Sequence, residues 1–203
     1  MWVLKLLEFY FSADFKSFGI LPRQIEGLSG IITSPFIHGN FKHLINNSLP
    51  FFFLISAIRY FYTDNSFIVI LFVWIITGFS VWLGGRNAWH IGASGLIYAF
   101  FSFLFFSGIW SKDRRLIAIS LLVFFLYGGM VWGILPQNEN ISWESHLYGF
   151  FTGFIAAFLF GKSHVKPPDE KENADNDDDF NNFDNSYRDG VNIEYHFNEK
   201  QDN

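Results

Sequence analysis

The 203-residue chain contains no cysteine. Disulfides, thiolate metal sites and cysteine nucleophiles are therefore excluded. Charge is scarce as well, at 16% of residues, against about a quarter in an ordinary soluble domain. What charge there is divides unevenly. Residues 1–161 carry 9 Lys and Arg against 7 Asp and Glu, a net of +2, while residues 162–203 carry 5 against 12, a net of −7. The overall acidity thus belongs to the C-terminal segment. With no basic body or basic stripe, a nucleic-acid binder is excluded on charge. In place of charge there is aromatic and aliphatic bulk: half the residues are hydrophobic, 21% are aromatic, and 28 are Phe.

This bulk lies in long runs. Residues 65–85 contain no charge in 21 positions, 87–111 none in 25, 116–138 none in 23 and 145–161 none in 17. A bilayer-crossing helix needs about 20 mostly apolar residues. Backbone groups in lipid must be satisfied within the element, so helices are expected, and the unalternating Phe51-Phe52-Phe53-Leu54-Ile55 excludes barrel strands. Five spans are predicted, near 43–62, 66–84, 93–110, 116–135 and 145–161. Met1–Phe11 is apolar but short and broken by Lys5 and Glu8. It reads either as the end of a longer helix or as a segment lying in the interface. After Gly161 come Lys162, Lys166, Pro167-Pro168 and an Asp/Asn-rich run, expected to be an acidic, disordered cytoplasmic tail over 162–203. Arg59, Lys112, Arg114, Arg115, Lys162 and Lys166 gather at one set of segment ends, which predicts that side, with the C-terminus, as cytoplasmic.

Against this background a few polar residues fall at one depth. His43 and Asn47 begin one span, Ser94 another and His146 the last, and alternation of the crossings brings all three in from the outer face. Strongly polar groups are costly inside a membrane and mark function. His43 and Asn47, four apart, share a helix face, with Asn46 turned away from it. His146 heads a ladder of Gly149, Gly153, Ala157 and Gly161, small residues that permit close helix approach. Ser94 lies in Gly92-Ala93-Ser94-Gly95, where a loop turns into a helix and backbone N–H groups can approach a ligand. A serine becomes a nucleophile beside a base, and no Asp or Glu lies inside the spans to orient that base. The chemistry predicted is a Ser/His pair. Asn47, His43 and the Ser94 backbone N–H are the candidate oxyanion donors. Glu144 is expected to project toward water, and His90 has no assigned role beyond a local hydrogen bond.

These motifs, in this order, resemble the rhomboid family of intramembrane serine proteases. Residues 34–47 are similar to the family's His-x4-His-x3-Asn opening of its second helix, with His38, His43 and Asn47 in place. Gly92-Ala93-Ser94-Gly95 matches the Gly-x-Ser-Gly nucleophile motif, Tyr98 the aromatic that packs on the catalytic histidine, and His146-x2-Gly149-x3-Gly153 the final helix. The resemblance covers roughly residues 20–161. It implies an all-α membrane protein, a rhomboid-like bundle of nominally six transmembrane helices whose first is here short or truncated, forming a protease domain over 1–161. It implies Ser94 as nucleophile, His146 as general base, His43 and Asn47 as oxyanion donors, and Tyr98, Gly92, Gly95, Gly149, Gly153 and His38 in support. The 116–135 helix is then the lateral gate, with Trp132 and Leu135 as gate contacts. The implied partners are the lipid bilayer and transmembrane protein substrates, with no nucleic acid, metal or organic cofactor. The implied location is a plasma membrane of bacterial type, with the site open to the outer face. Two other readings remain at this level: a catalytically inactive rhomboid-fold protein that binds or escorts membrane helices, and a small transporter with a histidine proton relay.

Overall fold

A computed structural model of the chain describes residues 1–136 and 142–161. The predicted acidic tail lies outside the described residues. Within them the fold is all-helical, and the single antiparallel bridge pairs Ile20 with His90. The helices are α1 (Trp2–Phe11), α2 (Gly30–Thr33), α3 (Phe41–Phe61), α4 (Ser66–Gly84), α5 (Ser94–Trp110), α6 (Arg114–Tyr127) and α7 (Trp143–Phe160). Two of them, α3 and α4, are both long and apolar enough to cross a bilayer.

The helix ends follow from local chemistry. Asn40 caps α3 by accepting the His43 backbone N–H at 2.8 Å, and Asp113 caps α6 by accepting that of Arg115 at 2.7 Å. At the far end of α3, Arg59 donates to the Ser66 hydroxyl at the start of α4, which closes the α3–α4 hairpin.

One helix sits at the centre. α5 is apolar around its whole circumference, as buried helices are, and Leu96 through Leu104 are all enclosed. It packs against α3, α4, α6 and α7. The closest approach is to α7, where a Cβ at Gly149 would lie 2.1 Å from the Gly95 carbonyl oxygen and one at Gly153 2.0 Å from that of Ala99. Backbone thus meets backbone along the predicted small-residue ladder, an arrangement that drives helix association where lipid removes the hydrophobic incentive. The outward faces carry Phe52, Phe53, Phe67, Leu71, Phe79, Phe125, Phe151 and Phe158, all exposed. An apolar belt of this extent on a soluble protein would aggregate; with α3 and α4 it identifies an integral membrane protein.

The loop between α1 and α3 folds back on the middle and C-terminal end of α4. Trp74 and Trp82 on α4 each donate the indole N–H into it, to Ile31 O at 3.2 Å and Gln24 O at 2.9 Å. The Ile20–His90 bridge ties the same loop to the segment before α5. α1 is attached to its far end. Lys5 Nζ reaches the His38 and Gly39 carbonyls at 2.9 and 3.2 Å, and Trp2 Nε1 donates to Ser48 Oγ at 3.0 Å. At about 1.5 Å per residue a ten-residue helix rises roughly 15 Å, half the hydrocarbon thickness.

One predicted span is corrected. The 116–135 segment is not one helix: α6 stops at Tyr127, and Gly128–Ile134 winds into a tighter 3-10 segment. The Gly128-Gly129 pair explains the break, since glycine disfavours a continuous α-helix. Trp132 and Leu135, expected as gate contacts, lie in and just after this 3-10 segment and are exposed.

Candidate active site

Ser94 is the first residue of α5, and the loop before it is held open by one glycine. Gly92 has φ +106°, a conformation L-residues rarely adopt, and its N–H is fixed to the Ser34 carbonyl at 2.9 Å. A side chain there would also collide with the His43 ring, whose Cε1 and Nε2 would lie 2.7 and 2.8 Å from a Cβ. Gly92→Ala is therefore expected to cost about 1–3 kcal/mol of strain and to displace His43. The measurement is thermal unfolding of the purified variant alongside turnover, both of which should fall.

His146 lies in the first turn of α7, 8% exposed. The α5–α7 contact brings its Nε2 to 2.8 Å from Ser94 Oγ. Its other nitrogen, Nδ1, is 2.9 Å from the carbonyl oxygen of Gly133. A carbonyl only accepts, so Nδ1 carries the proton and Nε2 presents its lone pair to the serine hydroxyl. Tyr98, one turn below Ser94, stacks flat on the imidazole with centroids 4.3 Å apart and planes 9° from parallel. The tilt and rotation of the ring are thus fixed by three contacts from two other elements, α5 and the 3-10 segment. Gly133 must be glycine for this, because a Cβ would fall 2.1 Å from the Tyr98 hydroxyl.

His43 and Asn47 face the same space from α3. The His43 ring takes no hydrogen bond among the described residues, and it meets His38 edge-on at a centroid distance of 5.0 Å. Asn47 spends one amide hydrogen on its own helix, donating to the His43 carbonyl at 2.8 Å, which leaves the second. These groups border a cavity of about 1370 Å³ that also touches Ser94, Tyr98, His146, Lys5, Glu8 and Arg86. Asn46, expected to turn away, lines the cavity too.

Glu144 is a further correction. It does not project to water: it is 4% exposed and pairs with Arg86 across 3.6 Å. The first turn of α7 packs against the loop before α5, so the Glu144 side chain is enclosed rather than solvated. The Gly133 carbonyl and the partners of His90 were invisible to sequence reasoning. A backbone acceptor has no sequence signature, although three glycines within 128–133 in a nominal membrane helix were a hint of irregular backbone.

His38 belongs to the outer loop and is 2% exposed. Burial, reinforced by the neighbouring His43, pushes its pKa from 6.5 down to about 4, and burial lowers that of His90 in the 85–93 loop as well. The unfolded chain takes these protons near pH 6.5 and the folded chain does not. The His38 contribution to stability is therefore full above pH 6.5, falls as the pH drops through the window, and stops falling below about 4. The unfolding temperature in detergent should decrease between pH 7 and pH 5, and less steeply in His38→Asn.

The comparisons with known proteins bear on this geometry. The Rhomboid domain matches residues 26–163, a stretch that holds all four motifs. The chain belongs to the rhomboid family. An uncharacterized protein of Mycobacterium tuberculosis strain H37Rv is 31% identical over 175 residues, 82% of this chain and 73% of that one. A Mycobacterium leprae protein, also uncharacterized, is 30% identical over 181 residues, 85% and 72% of the two chains. The Bacillus subtilis protein YdcA, whose name assigns it provisionally to the rhomboid proteases, is 26% identical over 142 residues, 64% and 65% of the two chains. This rhomboid protein thus has bacterial relatives, and its family is one of membrane proteins acting in the lipid bilayer.

Proposed function

We propose that this rhomboid protein is an intramembrane serine endopeptidase that cleaves peptide bonds in or beside transmembrane segments of other proteins. The observation that carries the reading is the 2.8 Å contact of His146 Nε2 with Ser94 Oγ. In the proposed reaction Ser94 Oγ attacks the scissile carbonyl as Nε2 removes its proton. The resulting imidazolium is held by the Gly133 carbonyl on one side and the Tyr98 ring face on the other. The oxyanion is received by the Ser94 backbone N–H, which as the first of a helix has no intrahelical partner, by the His43 ring and by the remaining Asn47 hydrogen. His146 then protonates the departing amine, and water entering through the cavity hydrolyses the acyl-enzyme by the reverse proton path.

The positive-residue bias supports a cytoplasmic C-terminus and a site opening to the outer face of a plasma membrane. α1 is read as the counterpart of the first of six family helices. A helical substrate hides its carbonyls in hydrogen bonds, so segments that unwind at Gly or Pro suit the site. The reading is tested by fluorophosphonate labelling in liposomes together with cleavage of a model single-pass substrate. Labelling of wild type but not of Ser94→Ala, with cleavage, is expected; a protein that binds the substrate without labelling or cleaving it is instead an inactive escort.

A further inference from the structure

His90 takes no part in the chemistry above, yet it is 2% exposed. Its backbone is paired with Ile20, the His90 N–H donating to the Ile20 carbonyl at 2.8 Å and the His90 carbonyl accepting the Ile20 N–H at 2.9 Å. Its ring bonds once within its own loop and once to the residue before α7. Nε2 lies 3.1 Å from the Arg86 carbonyl oxygen, and Nδ1 lies 2.6 Å from Ser142 Oγ. The carbonyl can only accept, so Nε2 holds the proton and Nδ1 accepts from the Ser142 hydroxyl. The Ser142 oxygen then accepts from Ser145 Oγ–H at 2.5 Å. Every hydrogen in the chain from Ser145 through Ser142 and His90 to Arg86 thus has a defined direction. Ser142 stands at the position that precedes α7, where a serine ordinarily caps the helix, and its side chain makes no capping bond. Its hydroxyl is committed to the neighbouring element instead. The Arg86–Glu144 pair, at 3.6 Å, runs alongside between the same two segments.

The register gives the chain its meaning. His90 lies four residues before Ser94, and Ser142 four before His146. The close α5–α7 backbone contacts at Gly149 and Gly153 lie on one side of the reacting pair, and the His90–Ser142 bond joins the two segments on the other. We propose that His90 is a positioning residue whose bond to Ser142 clamps the start of α7 to the loop before α5 and so holds Ser94 and His146 within bonding distance. This rests on the protease reading, since only that reading gives the Ser94–His146 distance a purpose.

The experiment uses the full chain in liposomes with a model transmembrane substrate and the variants His90→Ala, Ser142→Ala, the double variant and His90→Asn. Misplacing a reacting pair by a fraction of an ångström to 1 Å costs on the order of 10–100-fold in turnover. His90→Ala and Ser142→Ala are expected to lower kcat by that factor with KM within about twofold, and the double variant to be no worse than His90→Ala. His90→Asn, whose amide oxygen can accept from Ser142, should recover most of the loss. Unchanged kcat in His90→Ala, a loss expressed only in KM, or additive single effects would overturn the proposal. Should His90→Ala not fold, Ser142→Ala removes the same bond with a smaller change and decides alone. Amide hydrogen exchange over residues 86–93 and 142–146, measured in the Ser94→Ala background with and without the His90 substitution, reads the clamp without catalysis. If wild type neither cleaves nor labels, the protease reading fails; faster exchange in the His90 variant then still supports the clamp, and unchanged exchange overturns it.

Discussion

Ser94→Ala and His146→Ala are each expected to lower cleavage of a transmembrane substrate by about 10⁴-fold or more, which places both below detection in an ordinary gel assay. His146 Nε2 faces Ser94 Oγ and nothing else that could be deprotonated, and Nδ1 is occupied by the Gly133 carbonyl. Without the serine there is no nucleophile. Without the imidazole the hydroxyl keeps its proton, because no carboxylate among the described residues bonds to it: Glu144 is turned to Arg86. The two losses should not add, since either one disables the same step, so the double variant matches the singles. Thermal unfolding of Ser94→Ala should barely change, because Ser94 is only partly enclosed and its removal opens no cavity in the α5 core. Cleavage that survives either substitution contradicts the assignment directly.

The second large effect is expected far below the reacting atoms. Gly153 faces Ala99 with room for no side chain: a Cβ would lie 2.0 Å from the Ala99 carbonyl oxygen. The atom in the way is backbone of a helix packed on all sides, so it cannot rotate aside. Gly153→Val must push α7 from α5 by about 1 Å or more, at a cost of roughly 1–3 kcal/mol in overpacking. The same displacement acts on His146 two turns above, where a 1 Å error is worth on the order of 100-fold in rate. Turnover should fall by about that factor and the unfolding temperature with it. Leu159→Ala on the exposed face of the same helix should change stability by only about 0.5 kcal/mol. Equal behaviour of the two variants would show that the α5–α7 contact is loose.

Those two effects also show what the sequence made legible. The Ser94 and His146 motifs could be placed at one depth because charge-free runs bounded the helices. The small residues at 149, 153 and 157 could be aligned on the His146 face because a helix repeats every 3.6 residues. Both inferences need only local periodicity. The break at Gly128-Gly129 was missed because an apolar run reads as helix whether its backbone winds as α or 3-10. Glu144 was missed for another reason. Its sequence neighbours place it at a membrane surface, but its burial is decided by Arg86, nearly sixty residues away in the chain. His90 was left without a role for the same cause, since Ser142 comes from the opposite end of the domain. In each case the deciding partner lies on another element, and sequence periodicity reports only one element at a time.

The acceptor behind His146 has an unusual genetic standing. It is a peptide oxygen, present whatever residue occupies position 133, so no codon change deletes it. A saturation screen of this gene would return two indispensable side chains and would classify position 133 by the bulk that Tyr98 tolerates. The acceptor that orients the His146 ring is inherited through the path of the chain, and a backbone ester, rather than any of the twenty amino acids, is the reagent that can weaken it.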